Sequence, residues 1–286
     1  MTYTTLISAA ELARHLDDPD WIVIDCRHDL ADPVAGRNAW AAAHIPGAQF
    51  AHLDADLSDK SLGPDGAFRG RHPLPERNAF IETLRRFGIN HDSQVVAYDA
   101  HGGMFAARLW WMLRWVGHDA AAVLDGGLQA WQAPGSPPLS SETVTRTRGN
   151  IELRASRAPL ISVDEVLANL KNPTRVVIDA RAPDRFRGEN ETLDPVGGHI
   201  PGAKNRFFKD NLQPDGRFKP ADQLRAEFSV LIERPQAGIM QCGSGVTACH
   251  NLLAMEIAGL PGAALYPGSW SEWCGDPSRP VATGPA

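Results

Sequence analysis

The 286-residue sequence predicts an α/β protein of two tandem domains, each an open parallel sheet with helices on both faces. Three observations carry this. Short apolar runs alternate with helix-period stretches, landmarks of the first half return in the second in the same order, and a Pro/Ser-rich segment separates the halves. Alternation of strand and helix gives right-handed crossovers and parallel pairing. At 43% apolar residues the chain can bury two cores of ordinary size.

Taken in order, residues 21–25 read as a buried strand closing on Asp25 and Arg27, and residues 176–179 with Arg181 match it. Ala43-His44-Ile45-Pro46-Gly47-Ala48 is answered by Gly198-His199-Ile200-Pro201-Gly202-Ala203 at almost the same distance from its strand. Helical spacing follows over 79–87 in the first half and falls at 163–170 in the second. A third strand, 94–98, runs into Asp99, Gly102-Gly103 and a helix ending at Gly117. Its counterpart runs from 237 to Cys242, a glycine loop and a helix stopped by Gly259 and Pro261. A fourth pair sets Val123 through Trp131 against Leu265 through Trp273. Residues 133–156 have linker composition. The expected division is therefore a first domain over 1–140 without a nucleophile, a linker over 141–156, and a catalytic domain over 157–286.

Cys242-Gly243-Ser244-Gly245-Val246-Thr247 is the most informative stretch. A cysteine at a strand-to-helix turn receives converging backbone N–H groups and the positive end of a helix, which stabilise an anion at its sulfur. The plain alternative is a small buried hydrophobe, and the two flanking loop glycines argue for reactivity instead. In the first half Asp99 stands where Cys242 stands, and an aspartate cannot carry sulfur. Ligands of such sheets bind at the carboxyl ends of strands, the edge Cys242 occupies.

Composition excludes several classes. Net charge is −6 with no run of Lys or Arg, so no nucleic-acid footprint is present. No stretch approaches the ~20 apolar residues of a membrane span, and residues 1–12 have no basic or apolar leader pattern, so a cytoplasmic protein is expected. The four cysteines, at 26, 242, 249 and 274, form no Cys-x-x-Cys pair, so neither a zinc site nor a disulfide framework is suggested. No metal and no cofactor is expected. Cys249 reads as helix packing.

Together these motifs resemble the rhodanese-type sulfurtransferases with two tandem domains, of which only the second keeps the nucleophile. The resemblance covers essentially the whole chain. It rests on the duplicated Asp-x-Arg and His-Ile-Pro-Gly-Ala segments, on Trp110-Trp111-Met112-Leu113-Arg114, on the Cys242 loop, and on the ending Gly268-Ser269-Trp270-Ser271-Glu272-Trp273. Cys-Gly-Ser-Gly-Val-Thr is similar to the 3-mercaptopyruvate version of the loop, whereas thiosulfate-preferring members more often carry basic residues there. The resemblance implies a Cys242 persulfide, loaded from a small anionic donor (3-mercaptopyruvate or thiosulfate) and passed to cyanide, a thiol or a protein acceptor. It maps the substrate-binding arginine onto Arg185, within Arg185-Phe186-Arg187-Gly188. A second arginine, expected in a Glu-Pro-Arg segment, is replaced by Glu191-Thr192-Leu193-Asp194-Pro195, which leaves the choice of donor open.

The residues expected to bind substrate are thus Arg185 and the loop Gly243, Ser244, Gly245, Val246 and Thr247, with His44 a candidate contributor to the cleft. Ser244 either donates to the leaving group or only closes the loop, and Thr247 reads first as a helix cap. The duplicated Asp25, Arg27, Asp179 and Arg181 are expected to be structural. Two other functions compete. A Cys-x5-Arg phosphatase needs an arginine where Ala248 stands, and a sulfur-relay module would hand its persulfide only to a protein partner.

Overall fold

The computed structural model describes residues 2–63 and 66–285. The chain forms two compact units, one of residues 1–58, 75–157 and 212–218, the other of 59–74, 158–211 and 219–286. Each unit thus takes a short segment from the other's half of the sequence, which a division at the linker alone does not anticipate. The 141–156 stretch lies in the first unit, where the Gly149 and Arg154 N–H groups donate to Arg85 and Val116 carbonyls at 2.8 and 3.0 Å.

In the first unit β1 (Leu6–Ile7), α1 (Ala9–Ala13), β2 (Trp21–Asp25), α2 (Ala35–Ala42), β3 (Gln49–Phe50) and α3 (Leu53–Asp56) are followed by α4 (Arg77–Arg86), β4 (Gln94–Tyr98), α5 (Ala106–Trp115), β5 (Ala121–Leu124) and α6 (Gly127–Trp131). All pairings are parallel, in the order β1-β5-β4-β2-β3. β2 and β4 are buried along their whole length, which is why they read as unbroken apolar runs rather than alternating ones. Phe80, Ile81 and Leu84 are the apolar side chains α4 buries, at helical spacing. Trp110, Trp111 and Trp131 are all buried, as expected of core packing.

The second unit repeats the plan with α7 (Val163–Lys171), β6 (Val176–Asp179), α8 (Pro183–Arg187), β7 (Lys204–Asn205), α9 (Ala221–Leu231), β8 (Gly238–Gln241), α10 (Thr247–Ile257), β9 (Ala264–Leu265) and α11 (Ser269–Cys274). Its sheet order is β7-β6-β8-β9, again all parallel, and a Leu160–Leu265 bridge stands where β1 pairs in the first unit. The chain leaves β6 for β7 on one side and returns as β8 on the other. That reversal is the switch point at which such sheets open a crevice beyond their carboxyl ends. α10 is buried all round from Thr247 to Met255. Its polar members are satisfied locally, with Asn211 Nδ2 donating to Asn251 Oδ1 at 2.7 Å and Asn251 Nδ2 to the Arg206 carbonyl at 2.9 Å. Among the described residues no helix is long and apolar enough to cross a membrane.

Candidate active site

Cys242 is the first residue beyond β8, at the switch point, and is buried together with Gly243 through Thr247. The turn before α11 holds this loop in place. The Cys242 N–H donates to Ser269 Oγ at 3.1 Å, that hydroxyl donates to the Tyr266 carbonyl at 2.9 Å, and the Trp270 and Ser271 N–H groups donate to the carbonyls of Cys242 and Gly243, both at 2.9 Å. Ser269 has φ 55°, a left-handed conformation that a non-glycine residue adopts at a cost of order 1–3 kcal/mol. The bond to the nucleophile's own N–H offsets that cost. At Gly245, φ is +76°, and a Cβ would lie 2.3 Å from the Pro267 carbonyl oxygen, so only glycine fits.

α10 starts at Thr247, with Val246 in the cap position and no side-chain cap hydrogen bond. Thr247 is therefore the first helical residue rather than the cap that sequence suggests. The first unit shows what an anion does in the equivalent place. Asp99 follows β4 as Cys242 follows β8, and its carboxylate accepts from His101 and Gly103 N–H at 2.7 and 3.0 Å and from Phe105 and Ala106 N–H at 2.7 and 2.9 Å. The loop and helix start of the first unit thus cradle a fixed carboxylate of the chain itself. In the second unit the same kind of turn carries a thiol.

Three side chains that sequence motifs did not single out, or placed only by analogy, surround the Cys242 loop. His72 Nδ1 is 2.7 Å from Ser244 Oγ, both residues being buried. Arg185, on α8, donates from Nε and Nη2 to Glu191 at 2.8–3.2 Å and from Nη2 to Asp194 at 3.4 Å. Arg71 pairs with Asp194 through Nη1. Both guanidiniums reach the loop: a Cβ on Gly243 would lie 2.8 Å from Arg71 Nη2 and 3.8 and 3.9 Å from Arg185 Nη2 and Nη1. Burial would raise the Glu191 carboxyl, but hydrogen bonds from Arg185 and the Leu193 N–H hold it below its usual value. At Asp194 burial wins, and its carboxyl is raised despite Arg71.

His72 and Arg71 were invisible to the sequence because they lie in the first half of the chain, in 59–74, yet belong to the second unit. The available signal was a repeated segment, Leu62-Gly63-Pro64-Asp65-Gly66-Ala67-Phe68-Arg69 against Leu212-Gln213-Pro214-Asp215-Gly216-Arg217-Phe218-Lys219, after which Gly70-Arg71-His72 has no counterpart in Pro220-Ala221-Asp222. His44 is fully buried in the first unit, its Nδ1 2.7 Å from the Trp40 carbonyl oxygen and its Nε2 3.1 Å from that of Glu142. Both ring nitrogens therefore serve the backbone. The Asp-x-Arg pairs are structural in both units. Arg181 Nη2 donates to Asp179 at 2.7 Å and to the Gly198 carbonyl at 2.6 Å, as Arg27 Nη2 does to Asp25 at 2.6 Å and to Ala43 at 2.7 Å. Each pins its His-Ile-Pro-Gly loop to the strand end. Cys249 Sγ is 3.3 Å from the Gly245 carbonyl oxygen, a packing contact within α10's first turns.

A Rhodanese-like domain model matches residues 8–134 and 162–276. The chain belongs to the rhodanese family. A probable 3-mercaptopyruvate sulfurtransferase of Pseudomonas aeruginosa is 47% identical, the match covering 99% of this chain and 100% of that one. A putative thiosulfate sulfurtransferase of Mycobacterium tuberculosis is 39% identical over 98% of each. The crystal structure of the Escherichia coli 3-mercaptopyruvate enzyme superposes with a TM-score of 0.80 at 34% identity, covering 94% of this chain and 100% of that one. These rhodanese relatives carry two different donor names, so the donor has to be argued from the site.

Proposed function

We propose that this protein is a sulfurtransferase that takes sulfur from 3-mercaptopyruvate, and secondarily from thiosulfate, through a persulfide on Cys242. The observation that carries the reading is the convergence on one loop of a buried thiol, a serine hydroxyl backed by histidine, and guanidinium groups. The thiolate attacks the donor sulfur, the carbon–sulfur bond breaks, and its electron pair leaves on the methylene carbon as the enolate of pyruvate. That enolate needs a proton. The proton is the donor's own S–H proton, given up as the persulfide ionises; Ser244, hydrogen-bonded to His72, relays it to the methylene carbon, and pyruvate departs. Thiosulfate gives sulfite instead, which leaves as an anion and needs no proton from the enzyme. The persulfide then meets cyanide or a thiol: the acceptor takes the outer sulfur, and the Cys242 sulfur leaves with the electron pair of the S–S bond.

Within this scheme Arg185 binds the donor's anionic end. Backbone N–H groups from Gly243 to Thr247 stabilise thiolate and persulfide, as those of the first unit hold the Asp99 carboxylate. The partners are a small anionic donor and a thiol, cyanide or protein thiol acceptor, and four buried cysteines outside any disulfide suit a cytoplasmic setting. Steady-state kinetics with both donors, cyanide as acceptor, test the reading. Faster turnover with 3-mercaptopyruvate, lost in Cys242→Ser, is expected; turnover that survives Cys242→Ser contradicts it.

A further inference from the structure

We infer that Arg71 is a specificity-determining residue of the donor site, supplying beside Arg185 the second guanidinium that binds the carboxylate of an α-keto acid donor, in exchange for the arginine missing from the Glu191–Pro195 segment. The inference rests on the sulfur-transfer reading of the same site. Three observations support it. First, Arg71 Nη2 and both terminal nitrogens of Arg185 converge on Gly243, the residue after the nucleophile. Second, the acid lies beneath and the cation outside: the Asp194 side chain is 3% exposed and that of Arg71 27%. Asp194 engages Nη1, which leaves the fork turned so that Nη2 faces the loop. The acid at 194 thus holds a cation from another segment of the chain beside the Cys242 loop.

Third, the backbone at Arg71 is fixed against the active loop. Gly70 has φ +94°, and a Cβ there would lie 2.7 Å from the Gly268 carbonyl oxygen, so the chain can pass this close only as glycine. The Arg71 N–H then donates to Ser271 Oγ at 3.1 Å, while the Ser271 N–H donates to the Gly243 carbonyl at 2.9 Å. Two hydrogen bonds therefore connect Arg71 to the residue beside Cys242. The neighbouring His72 meets Ser244, so one short segment brings both the second cation and the proton relay to the loop. Two guanidinium forks suit a planar carboxylate, held away from the reacting sulfur.

The test separates the cation from the ion pair. Asp194→Asn and Arg71→Gln/Asp194→Asn both lack the pair and differ only in the guanidinium. The double variant is expected to raise KM for 3-mercaptopyruvate about 10- to 100-fold over Asp194→Asn, the span of one charged hydrogen bond, with kcat within about threefold and a smaller change for thiosulfate. Equal KM values in the two variants overturn the inference, as does a fall confined to kcat. Binding of 3-mercaptopyruvate to Cys242→Ser, with and without Arg71→Gln/Asp194→Asn, gives the same comparison without turnover. Should the wild type transfer no sulfur, the sulfur-transfer reading fails, while that binding difference still decides the role of Arg71. Loss of folding in Arg71→Gln/Asp194→Asn but not in Asp194→Asn counts against the inference, since it makes Arg71 structural.

Discussion

Residue by residue, the site separates chemistry from support. In the proposed mechanism Ser244 and His72 act only where a leaving group needs a proton. Ser244→Ala is therefore expected to lower kcat for 3-mercaptopyruvate by about 100-fold or more, the usual worth of a positioned proton donor, and to change thiosulfate turnover far less. Parallel assays of the two donors read this directly, and equal losses would remove the relay. Gly245 is a different kind of residue. Gly245→Ala must relieve a 2.3 Å approach to Pro267 in a left-handed conformation, so a loss of about 1–3 kcal/mol in urea unfolding is expected, together with lowered turnover. The cysteine and Arg185 were legible from sequence because their motifs are local. Arg71 and His72 were not, because no periodicity or spacing tells a loop in one repeat that it folds with the other.

Among the elements, the strand ends carry the tightest electrostatics. Arg181 and Asp179 are 1% and 0% exposed, and Arg181 also donates to Gly198. Asp179→Ala leaves a buried guanidinium without its carboxylate, and a loss of about 3–5 kcal/mol is expected in denaturant unfolding. α9 is tied down by Glu227, which accepts from Arg206 at 2.5 Å, Lys219 at 3.0 Å and Gln223 at 2.9 Å. Burial works against this carboxylate, but those hydrogen bonds bring it down to about 2 from 4.5. A depressed acid stabilises the fold above its unfolded value and loses that contribution as pH falls from about 4.5 towards about 2. Glu227→Gln is expected to flatten stability against pH over that window, by ~1 kcal/mol or less because solvent screens the group. An unchanged slope would remove Glu227 from the acid response. The strands and helices singled out from sequence lie within a residue or two of their observed bounds, since their periodicity is a property of adjacent residues, whereas α2, α9 and the two-residue strands β1, β3 and β7 were not read from it. The helix cap was not, because Val246 occupies the cap position without a capping side chain.

For the whole molecule, the duplication makes one repeat a reference for the other. Both units turn from strand to helix through a loop, the first with N–H groups that hold the Asp99 carboxylate and the second with Cys242 in the equivalent place. The repeated landmarks made the two-sheet architecture readable from sequence, while the exchange of 59–74 and 212–218 between units was not: both segments carry Leu-x-Pro-Asp-Gly-x-Phe, and a repeated motif does not tell which unit it folds with. In the proposed reaction sulfur passes through Cys242 alone. Mass spectrometry of the protein after brief mixing with 3-mercaptopyruvate, without acceptor, reads this step. The expected result is the added mass of one sulfur atom, located on the Cys242 peptide, released by cyanide and absent in Cys242→Ser. Sulfur on Cys26, Cys249 or Cys274 instead, or no added mass while pyruvate is still produced, would contradict it.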